Sequence, residues 1–400
     1  MNDFRYIVIL LAVCSVLISC EREEDTRHPA QNVGKPISFT AESIWPDITK
    51  APVNNLGDIL NDGFRVWGAW TKDPDDNSYF VGDYATGTNG SVFGADGTAV
   101  RPYDADGNMI FDPEGTADAW TYDNVRDWYR GYYSFAAILP NSLFDVNSDN
   151  YMIESASLTS TFSQTGSDDS RTLIYDNALT LTFPDDRLVL GGHVVENDII
   201  VPEENQKDIM IAFSTEDNSD YSAENVSLNF THIFARLGVE LTATDSRNIP
   251  DITTVTIYGI HKTLTGPLKL TQKITQTNYR TETSQTTVDN AISMRGDLST
   301  IEDPYAKFTM PEGHYNHSTG QGKVTLFKDL IVLPENLSEE VSLQIRVDFN
   351  KVRVNADSSV ENLGQGHHVI TIDNGTWHSG EKHLYSFVVD GLDLNGLNNN

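Results

Sequence analysis

The chain has 400 residues, enough for two or three domains of about 150 residues each. Lys and Arg together number 27 against 58 Asp and Glu, a formal net charge of -31. This charge argues against binding to a nucleic-acid backbone and against charge-driven docking on an anionic lipid surface. Hydrophobic residues make up 39% and aromatic residues 10%, which is too apolar for a globally disordered chain.

Residues 1–19 have the pattern of an export signal and do not enter the fold argument. The apolar run over residues 6–18 is too short to cross a hydrocarbon layer of roughly 30 Å as a helix. Residues 17–19 (LIS) lead into Cys20, as in a bacterial lipobox. We expect Cys20 to be the first residue of the mature protein. The lipid on this residue would attach the protein to the outer membrane. A plain secretory signal followed by an accidental cysteine is the alternative.

Cysteine usage agrees with export of a protein held together by its core. Cys14 lies in the removed segment, so Cys20 is the only cysteine of the mature chain and no intrachain disulfide can form. Residues 20–35 are charged and lack any periodic pattern, which predicts a flexible tether between the lipid and the fold.

Beyond the tether, apolar residues alternate with polar ones, as in strands with one buried face. The clearest runs are residues 133–139, 179–183, 209–213 and 341–349. Within residues 226–241 the apolar phase shifts by one position, which predicts a bulge in one continuous strand. Many short strands of this kind predict an all-β protein built from two β-sandwiches.

One acidic, turn-rich segment, residues 216–224, marks the predicted boundary between the two sandwiches. It divides the chain into an N-terminal β-sandwich domain over residues 36–218 and a C-terminal one over residues 219–400. Residues 71–108 are rich in Gly and Asp and predict a long decorated loop. Residues 119–130 have room for a turn or two of helix.

Four parts of the sequence resemble the fimbrillin family, the subunits of type V pili in Bacteroidales-type bacteria. They are residues 36–41 (PISFTA) with 48–51 (ITKA), residues 128–140 (WYRGYYSFAAILP), residues 229–237 (NFTHIFARL) and residues 377–387 (WHSGEKHLYSF). Their order behind a lipobox, over most of the chain, makes the resemblance specific.

The resemblance implies two transthyretin-like, Greek-key β-sandwich domains and assembly with other pilin subunits by strand exchange. In that family a trypsin-like protease removes the first strand, and an extended strand of another subunit fills the groove. By this likeness Ile37 and Phe39 are the apolar anchors of the removable strand, and Lys50-Ala51 is the scissile position. The Lys, in place of the Arg that an arginine-specific enzyme needs, favours a Lys-tolerant protease or no cleavage. A solvated turn at Lys50 is the alternative.

The C-terminal segment departs from the pattern of a donor strand. After residue 389 only Leu392, Leu394 and Leu397 are apolar, and Gly391 and Gly396 interrupt them. Such a segment is a poor strand former. We therefore expect a subunit that accepts a strand without donating one, at the tip of a pilus or in an accessory position.

Several polar groups have both a chemical and a structural interpretation. Asp104 to Asp112 resembles the spacing of a calcium loop, although a tight turn is the favoured alternative. His314 and His317 could ligate a metal, as could His367 with its neighbour at 368, but sequence places no third ligand. His232 lies in an apolar strand and is interpreted as a hydrogen-bonded core histidine.

A cluster of aromatic residues in the first half of the chain allows a second functional hypothesis. Its members are Trp67, Trp70, Trp120, Trp128, Tyr129, Tyr132 and Tyr133. Exposed, they would form a sugar-binding platform on a lipid-anchored surface protein; packed between sheets, they would be core. No catalytic or nucleotide-binding motif occurs, so we expect no enzyme and no cofactor. The leading hypothesis is a surface-exported, fimbrillin-like adhesin whose ligand the sequence does not identify.

Overall fold

The structure is a computed structural model of the whole chain. It describes residues 35–43, 62–72, 90–103, 119–148, 151–167, 170–190, 194–195, 199–200, 208–219, 222–243, 248–279, 285–288, 293–298, 301, 305–309, 323–357 and 359–389. Within these residues no helix is long and apolar enough to cross a membrane.

The described residues form 25 strands and two short 3-10 helices, at Asn141–Phe144 and Pro184–Asp186. The strands are β1 (Ser38–Ser43), β2 (Phe64–Thr71), β3 (Gly90–Ser91), β4 (Thr98–Tyr103), β5 (Ala119–Tyr122), β6 (Tyr132–Leu139), β7 (Ser155–Ser167), β8 (Ser170–Thr182), β9 (Arg187–Val189), β10 (Val194–Val195), β11 (Ile199–Ile200), β12 (Met210–Asp217), β13 (Asn225–His232), β14 (Ala235–Ala243), β15 (Asn248–Tyr258), β16 (Thr263–Tyr279), β17 (Gln285–Val288), β18 (Ser293–Leu298), β19 (Ala306–Thr309), β20 (Lys323–Val332), β21 (Asn336–Leu337), β22 (Leu343–Val354), β23 (Val360–Ile372), β24 (Gly375–Thr376) and β25 (Lys382–Val389). The all-β prediction is confirmed.

Seven strands close on themselves into a ring. Their order is β2-β4-β5-β1-β13-β12-β6, and β6 pairs back to β2. The short β3 pairs with β2 at Ala69 and Trp70, beyond the residues of β2 that pair with β4. Each of the seven strands has a neighbour on both sides, which limits the free sheet edge open to unintended strand pairing. We call these seven strands the ring.

A second sheet, which we call the bridging sheet, has the order β17-β16-β8-β7, with β9 and β18 also paired to β16. It packs on the outer face of the ring through a common apolar cluster that includes Ile138 and Ile211 of the ring and Leu179 and Leu270 of the bridging sheet. Because β6 contacts apolar clusters on both sides, all eight of its residues are buried. The sequence shows one-face alternation there, whereas the strand is buried on both faces.

The remaining large sheets form what we call the second sandwich. The sheet β20-β14-β25 shares one apolar cluster with the sheet β19-β15-β22-β23. In β22 the predicted alternation is confirmed, since Leu343, Ile345, Val347 and Phe349 are buried while the residues between them are half-buried. Two small sheets, β10-β11 and β21-β24, complete the described strands.

The continuous strand predicted over residues 226–241 is wrong, because the phase shift marks a passage between two sheets. A register irregularity does occur within this range, where β14 pairs with β20 between Leu237 and Glu240, but it lies beyond the phase shift. β13 pairs with β1 and β12 inside the ring, whereas β14 pairs with β20 and β25 in the second sandwich. Ile233 and Phe234 connect the two strands and are both buried. Each strand turns its apolar residues toward a different core, and this produces the change of parity.

The predicted boundary between residues 218 and 219 cuts through the observed pairing. It would separate β13 from the ring, although β13 carries the partner residues of all six positions of β1. The bridging sheet also joins the two halves, since β8 and β16 pair over 12 residue positions. By its hydrogen bonds the chain leaves the ring at Ile233 and Phe234.

Two further sequence interpretations change. Residues 119–130 begin with the strand β5 and contain no helix, because Trp120 and Tyr122 supply the alternation of a strand. The segment predicted as a decorated loop, residues 71–108, contains β3 and β4 in its described part.

We expect the ring and the second sandwich to unfold together, because the bridging sheet pairs strands from both halves. Leu270 of β16 is completely buried between the ring and the bridging sheet, and Leu270→Ala should cost about 2–5 kcal/mol of unfolding free energy. Hydrogen exchange read on peptides of β12 and of β22 should show the same loss in both. Val369→Ala, at a side chain 43% exposed, should change either value by less than about 0.5 kcal/mol. Loss confined to one of the two peptides would contradict the expectation.

Candidate functional site

The first strand closes the ring between two strands that do not pair with each other in the described residues. On one side β1 runs parallel to β13, in a register that sets Ser38 opposite Asn225 and Ser43 opposite Phe230. On the other side it meets β5 in antiparallel pairing at Phe39 and Trp120. The ring therefore depends on a strand that lies near the N-terminus and far in sequence from its parallel partner.

One face of this strand lies inside the ring. Ile37 and Phe39 are 1% and 3% exposed, and Ala41 packs against the same cluster, whereas Thr40 between them is exposed. Full burial of a side chain of the size of Ile or Phe contributes about 1.5–3 kcal/mol. The two sequence-predicted anchor residues thus point into the core, and we keep their role in strand exchange as a proposal.

Phe39 lies at the centre of an aromatic cluster. Its ring centroid is 5.7 Å from that of Tyr122, 5.9 Å from Phe135 and 6.0 Å from both Phe64 and Phe93. Three of these contacts are edge-to-face, the arrangement that aromatic quadrupoles favour. The four partners come from β2, β5, β6 and the turn after β3, so one side chain joins several parts of the ring.

The residues just before β1 are held by main-chain hydrogen bonds to the loop after β5. The Ile37 amide donates to the Arg126 carbonyl at 2.7 Å, and the Trp128 amide donates to the Lys35 carbonyl at 2.9 Å. Trp128 is fully buried, and its indole Nε1 donates to the Glu224 carbonyl, immediately before β13. The loop that holds the start of the segment is therefore itself fastened to the parallel partner strand.

The Tyr122 hydroxyl takes the place of a strand hydrogen bond where the pairing of β1 with β5 is interrupted. It donates to the Ile37 carbonyl at 2.9 Å and accepts from the Arg126 amide at 3.2 Å. Burial raises the pKa of Tyr122 to about 12, because ionisation would place a charge in an apolar site. The neutral phenol therefore stabilises the docked segment.

This arrangement is suited to binding a strand. If residues 35–43 left, the ring would open between β13 and β5 and expose a groove floored by Phe64, Tyr122 and Phe135. The groove would offer unpaired main-chain groups of β13 and apolar positions two residues apart, as in β-augmentation.

Several sequence-predicted positions lie outside the described residues. They are Cys20, Lys50, Ala51, the segment Asp104 to Asp112, His314, His317 and the leucines of residues 390–400. Lipidation, cleavage and calcium binding therefore stay predictions. In the part of the chain that the structure describes, no group of three His, Cys, Asp or Glu residues could hold a metal ion.

The aromatic cluster does not form an exposed platform, so its interpretation as core is confirmed. Buried members are Trp67, Trp70, Trp128, Tyr132 and Tyr133; Trp120 is half-buried, and Tyr129 alone of the seven is exposed, at 38%. The observation that motivated the sugar-platform hypothesis is thereby removed.

His232 is a hydrogen-bonded core residue, as predicted, and its partners are charged. Its Nδ1 lies 2.5 Å from Oδ2 of Asp208, which also accepts from Nη2 of Arg236 at 2.7 Å. All three side chains are buried. Burial alone would raise the pKa of Asp208, but the charges and hydrogen bonds of His232 and Arg236 outweigh it and hold that pKa below its ordinary value. This cluster connects the start of β12 and the end of β13 to the start of β14.

Sequence reasoning missed Tyr122, Asp208 and the parallel pairing of β1 with β13. The position of Asp208 directly before the apolar residues of β12 is a weak signal for a buried carboxylate that needs a partner. Nothing in a single sequence indicates which distant strand β1 pairs with.

Truncation of the central anchor should weaken the ring. Phe39→Ala leaves a cavity among four aromatic rings, and we expect it to cost about 3–5 kcal/mol of unfolding free energy in chemical denaturation. Thr40→Ala changes the exposed side of the same strand and should cost less than about 0.5 kcal/mol. Equal effects of the two substitutions would show that the strand is not seated as described.

The Tyr122 phenol predicts a loss of stability at high pH. Its pKa is about 12 in the fold against an ordinary value of 10, so its contribution is complete below pH 10 and falls as the pH rises toward 12. One pKa unit corresponds to about 1.4 kcal/mol. Tyr122→Phe should lower the unfolding free energy at pH 8, because it removes two hydrogen bonds, and the deficit should shrink between pH 10 and 12. Tyr129→Phe is the control, because this side chain is exposed, and it should leave the pH dependence of the unfolding free energy as in wild type. A Tyr122→Phe deficit that stays constant from pH 8 to pH 12 would contradict the role of the neutral phenol.

Comparison with known proteins gives a family match and several structural likenesses. The model of the fimbrillin-like family matches residues 194–399. Among solved structures, a fimbrial protein of Bacteroides vulgatus shares 14% identity, with 91% of this chain and 98% of that chain covered and a TM-score of 0.48. A candidate cell-adhesion protein of Bacteroides ovatus shares 14% identity, with 89% and 92% covered and a TM-score of 0.37. Among curated proteins, none matches this chain.

The family match covers more than half of the chain, including β13, β14 and the whole second sandwich. The matched family is one of fimbrial proteins and not of enzymes. This chain belongs to the fimbrillin-like family.

Proposed function

We propose that the protein is a tip or accessory adhesin of a cell-surface pilus, and that it takes up a strand from another pilin subunit by strand exchange. The observation that carries the proposal is the seating of β1, which closes the ring through main-chain bonds and two buried side chains, Ile37 and Phe39. The ring and the second sandwich would be the two transthyretin-like, Greek-key domains of the family.

Strand exchange requires that the first strand be separable from the rest of the chain. Cleavage after Lys50 would leave β1 attached only by hydrogen bonds and packing, because the segment that joins it to β2 contains Lys50-Ala51. An incoming strand would then pair in parallel with β13 and place apolar side chains where Ile37, Phe39 and Ala41 now lie.

Export as a lipoprotein fits the same sequence of events. Cys20 would carry the lipid and hold the precursor at the outer membrane before processing. Cleavage after Lys50 would remove the lipid anchor together with the first strand, so a single cut would both free the subunit and open its groove.

The tip or accessory position rests on the composition of residues 390–400. Leu392, Leu394 and Leu397 could supply at most three apolar side chains, and Gly391 and Gly396 disfavour an extended strand. The corresponding groove of another subunit would gain little apolar burial from such a donor strand. The subunit would therefore accept a strand and pass none on.

The proposal is tested by the N-terminal sequence of the protein recovered from sheared pili. We expect Ala51 as the first residue in wild-type cells. Lys50→Ala should leave Cys20 as the first residue, confined to the outer-membrane fraction, with pili lacking the subunit. Lys72→Ala, which alters a lysine just beyond β2, should be processed and incorporated as wild type.

If the subunit is found in pili with its first strand intact, the proposed strand exchange is wrong. The assignment to the fimbrillin-like family would not be affected. Incorporation of the Lys50→Ala protein with Ala51 as its first residue would exclude Lys50 as the determinant of cleavage. Normal pili on cells that lack the protein, with the protein itself never in the pilus fraction, would contradict its role as a pilus subunit.

A further inference from the structure

One polar groove lies on the outer face of the second sandwich, in the sheet β19-β15-β22-β23. It has a volume of about 390 Å³, within the range of small-molecule sites. Charged groups from two strands line it: Lys307 of β19, and Arg346 with Asp348 of β22. None of them takes part in the apolar cluster of the second sandwich or in the closure of the ring.

Strand register brings these groups to one place. Lys307 and Arg346 lie opposite the same residue of β15, Thr256, from its two sides. Asp348 lies opposite Thr254 on one side and His367 of β23 on the other. Two cations, a carboxylate, an imidazole and a hydroxyl therefore share one exposed face.

A bulge in β15 and a glycine in β23 give this face its depth. The register shift between Ile252 and Thr254 inserts Thr253, whose hydroxyl donates to the Asp348 carbonyl at 3.0 Å. At Gly366 a Cβ would lie 2.8 Å from Cζ of Phe349, so the absence of a side chain lets the Phe349 ring extend beneath β23. The Phe349 ring belongs to the apolar cluster on the opposite face of the sheet, so the other side chains that line the groove are polar.

The orientation of Arg346 in the groove is fixed before any ligand binds. Arg346 donates from Nε and Nη2 to the Asp348 carboxylate, at 3.0 Å and 2.9 Å to Oδ1, so the planar guanidinium is held in a fixed orientation. With Lys307 the three groups carry one net positive charge in a chain of net charge -31. This local positive charge favours a ligand that carries an anionic group.

We propose that this groove binds an acidic carbohydrate, a sugar that carries a carboxylate or sulfate group. Lys307 and Arg346 would hold the anionic group, while Asp348, the Thr254 hydroxyl and the Gln365 amide would exchange hydrogen bonds with ring hydroxyls. A sugar needs both donors and acceptors, and the groove has both, whereas an acidic peptide side chain would use only the two cations. The inference rests on the proposed adhesin role and gives it a ligand class.

The test uses the full mature protein on a microarray of neutral, sialylated, uronic-acid-containing and sulfated saccharides, followed by titration of lactose and sialyllactose in solution. We expect binding to acidic saccharides only, weakened by added salt. Arg346→Ala and Lys307→Ala should each weaken it by at least about tenfold. Arg353→Ala is the matched control, because Arg353 is an equally exposed arginine of β22 outside the groove, 3.8 Å from Glu361, and should leave affinity unchanged.

Absence of Arg346-dependent binding to every acidic saccharide on the array would overturn the proposal, as would binding that survives both substitutions. Arg346-dependent capture of polyglutamate at equal strength would assign the groove to acidic peptides instead. Circular dichroism establishes that each variant is folded. Incorporation of Arg346→Ala into pili, read separately, distinguishes failure of this site from failure of the pilus assignment.

Discussion

Parallel pairing of β1 with β13 is the constraint on which the first half of the structure depends. Two parallel neighbours cannot be joined by a tight turn, and here 181 residues lie between them along the chain, from 44 to 224. Closure of the ring is therefore a non-local contact, in which main-chain bonds and the burial of Ile37 and Phe39 offset the entropy lost in closing a long loop. The proposed exchange of β1 would leave its neighbours paired, because the remaining strands are connected in one sheet from β5 through β4, β2, β6 and β12 to β13.

The buried cluster of Asp208, His232 and Arg236 serves the opposite purpose, since it fixes the passage from the ring to the second sandwich. Three charged or titratable side chains are removed from water at one point, and loss of one partner in such a cluster typically costs about 3–5 kcal/mol. Each residue belongs to a different strand or its immediate flank. This cluster and the bridging sheet hold the ring through contacts that do not involve β1, so the proposed exchange of β1 would leave them in place.

Sequence patterns correctly predicted those features of the structure that depend on residues close together in the chain. The alternation in β22, the parity of Ile37 and Phe39, the end of β6 before Pro140 and the hydrogen-bonded state of His232 follow from neighbours in the chain or from the cost of burying a polar group. Register and partner choice do not follow, because they depend on residues far away in sequence. The phase shift near Ile233 was visible as a pattern, yet a bulge and a passage between sheets give the same one-residue slip. Only the pairing of β14 with β20 and β25 separates the two explanations.

The two proposed sites place different demands on the sequence. The groove of β1 needs apolar residues at fixed parity, and any change there alters the core of the ring. The outer face of the sheet β19-β15-β22-β23 carries Lys307, Arg346 and His367 over a core already filled by Val347 and Ile345 from the other side of the same strands. Because successive side chains of a strand point to opposite faces, the recognition face can change its chemistry while the packing face stays constant. The two proposals thus assign assembly and ligand binding to different faces of one chain, so that a substitution in one site need not alter the other.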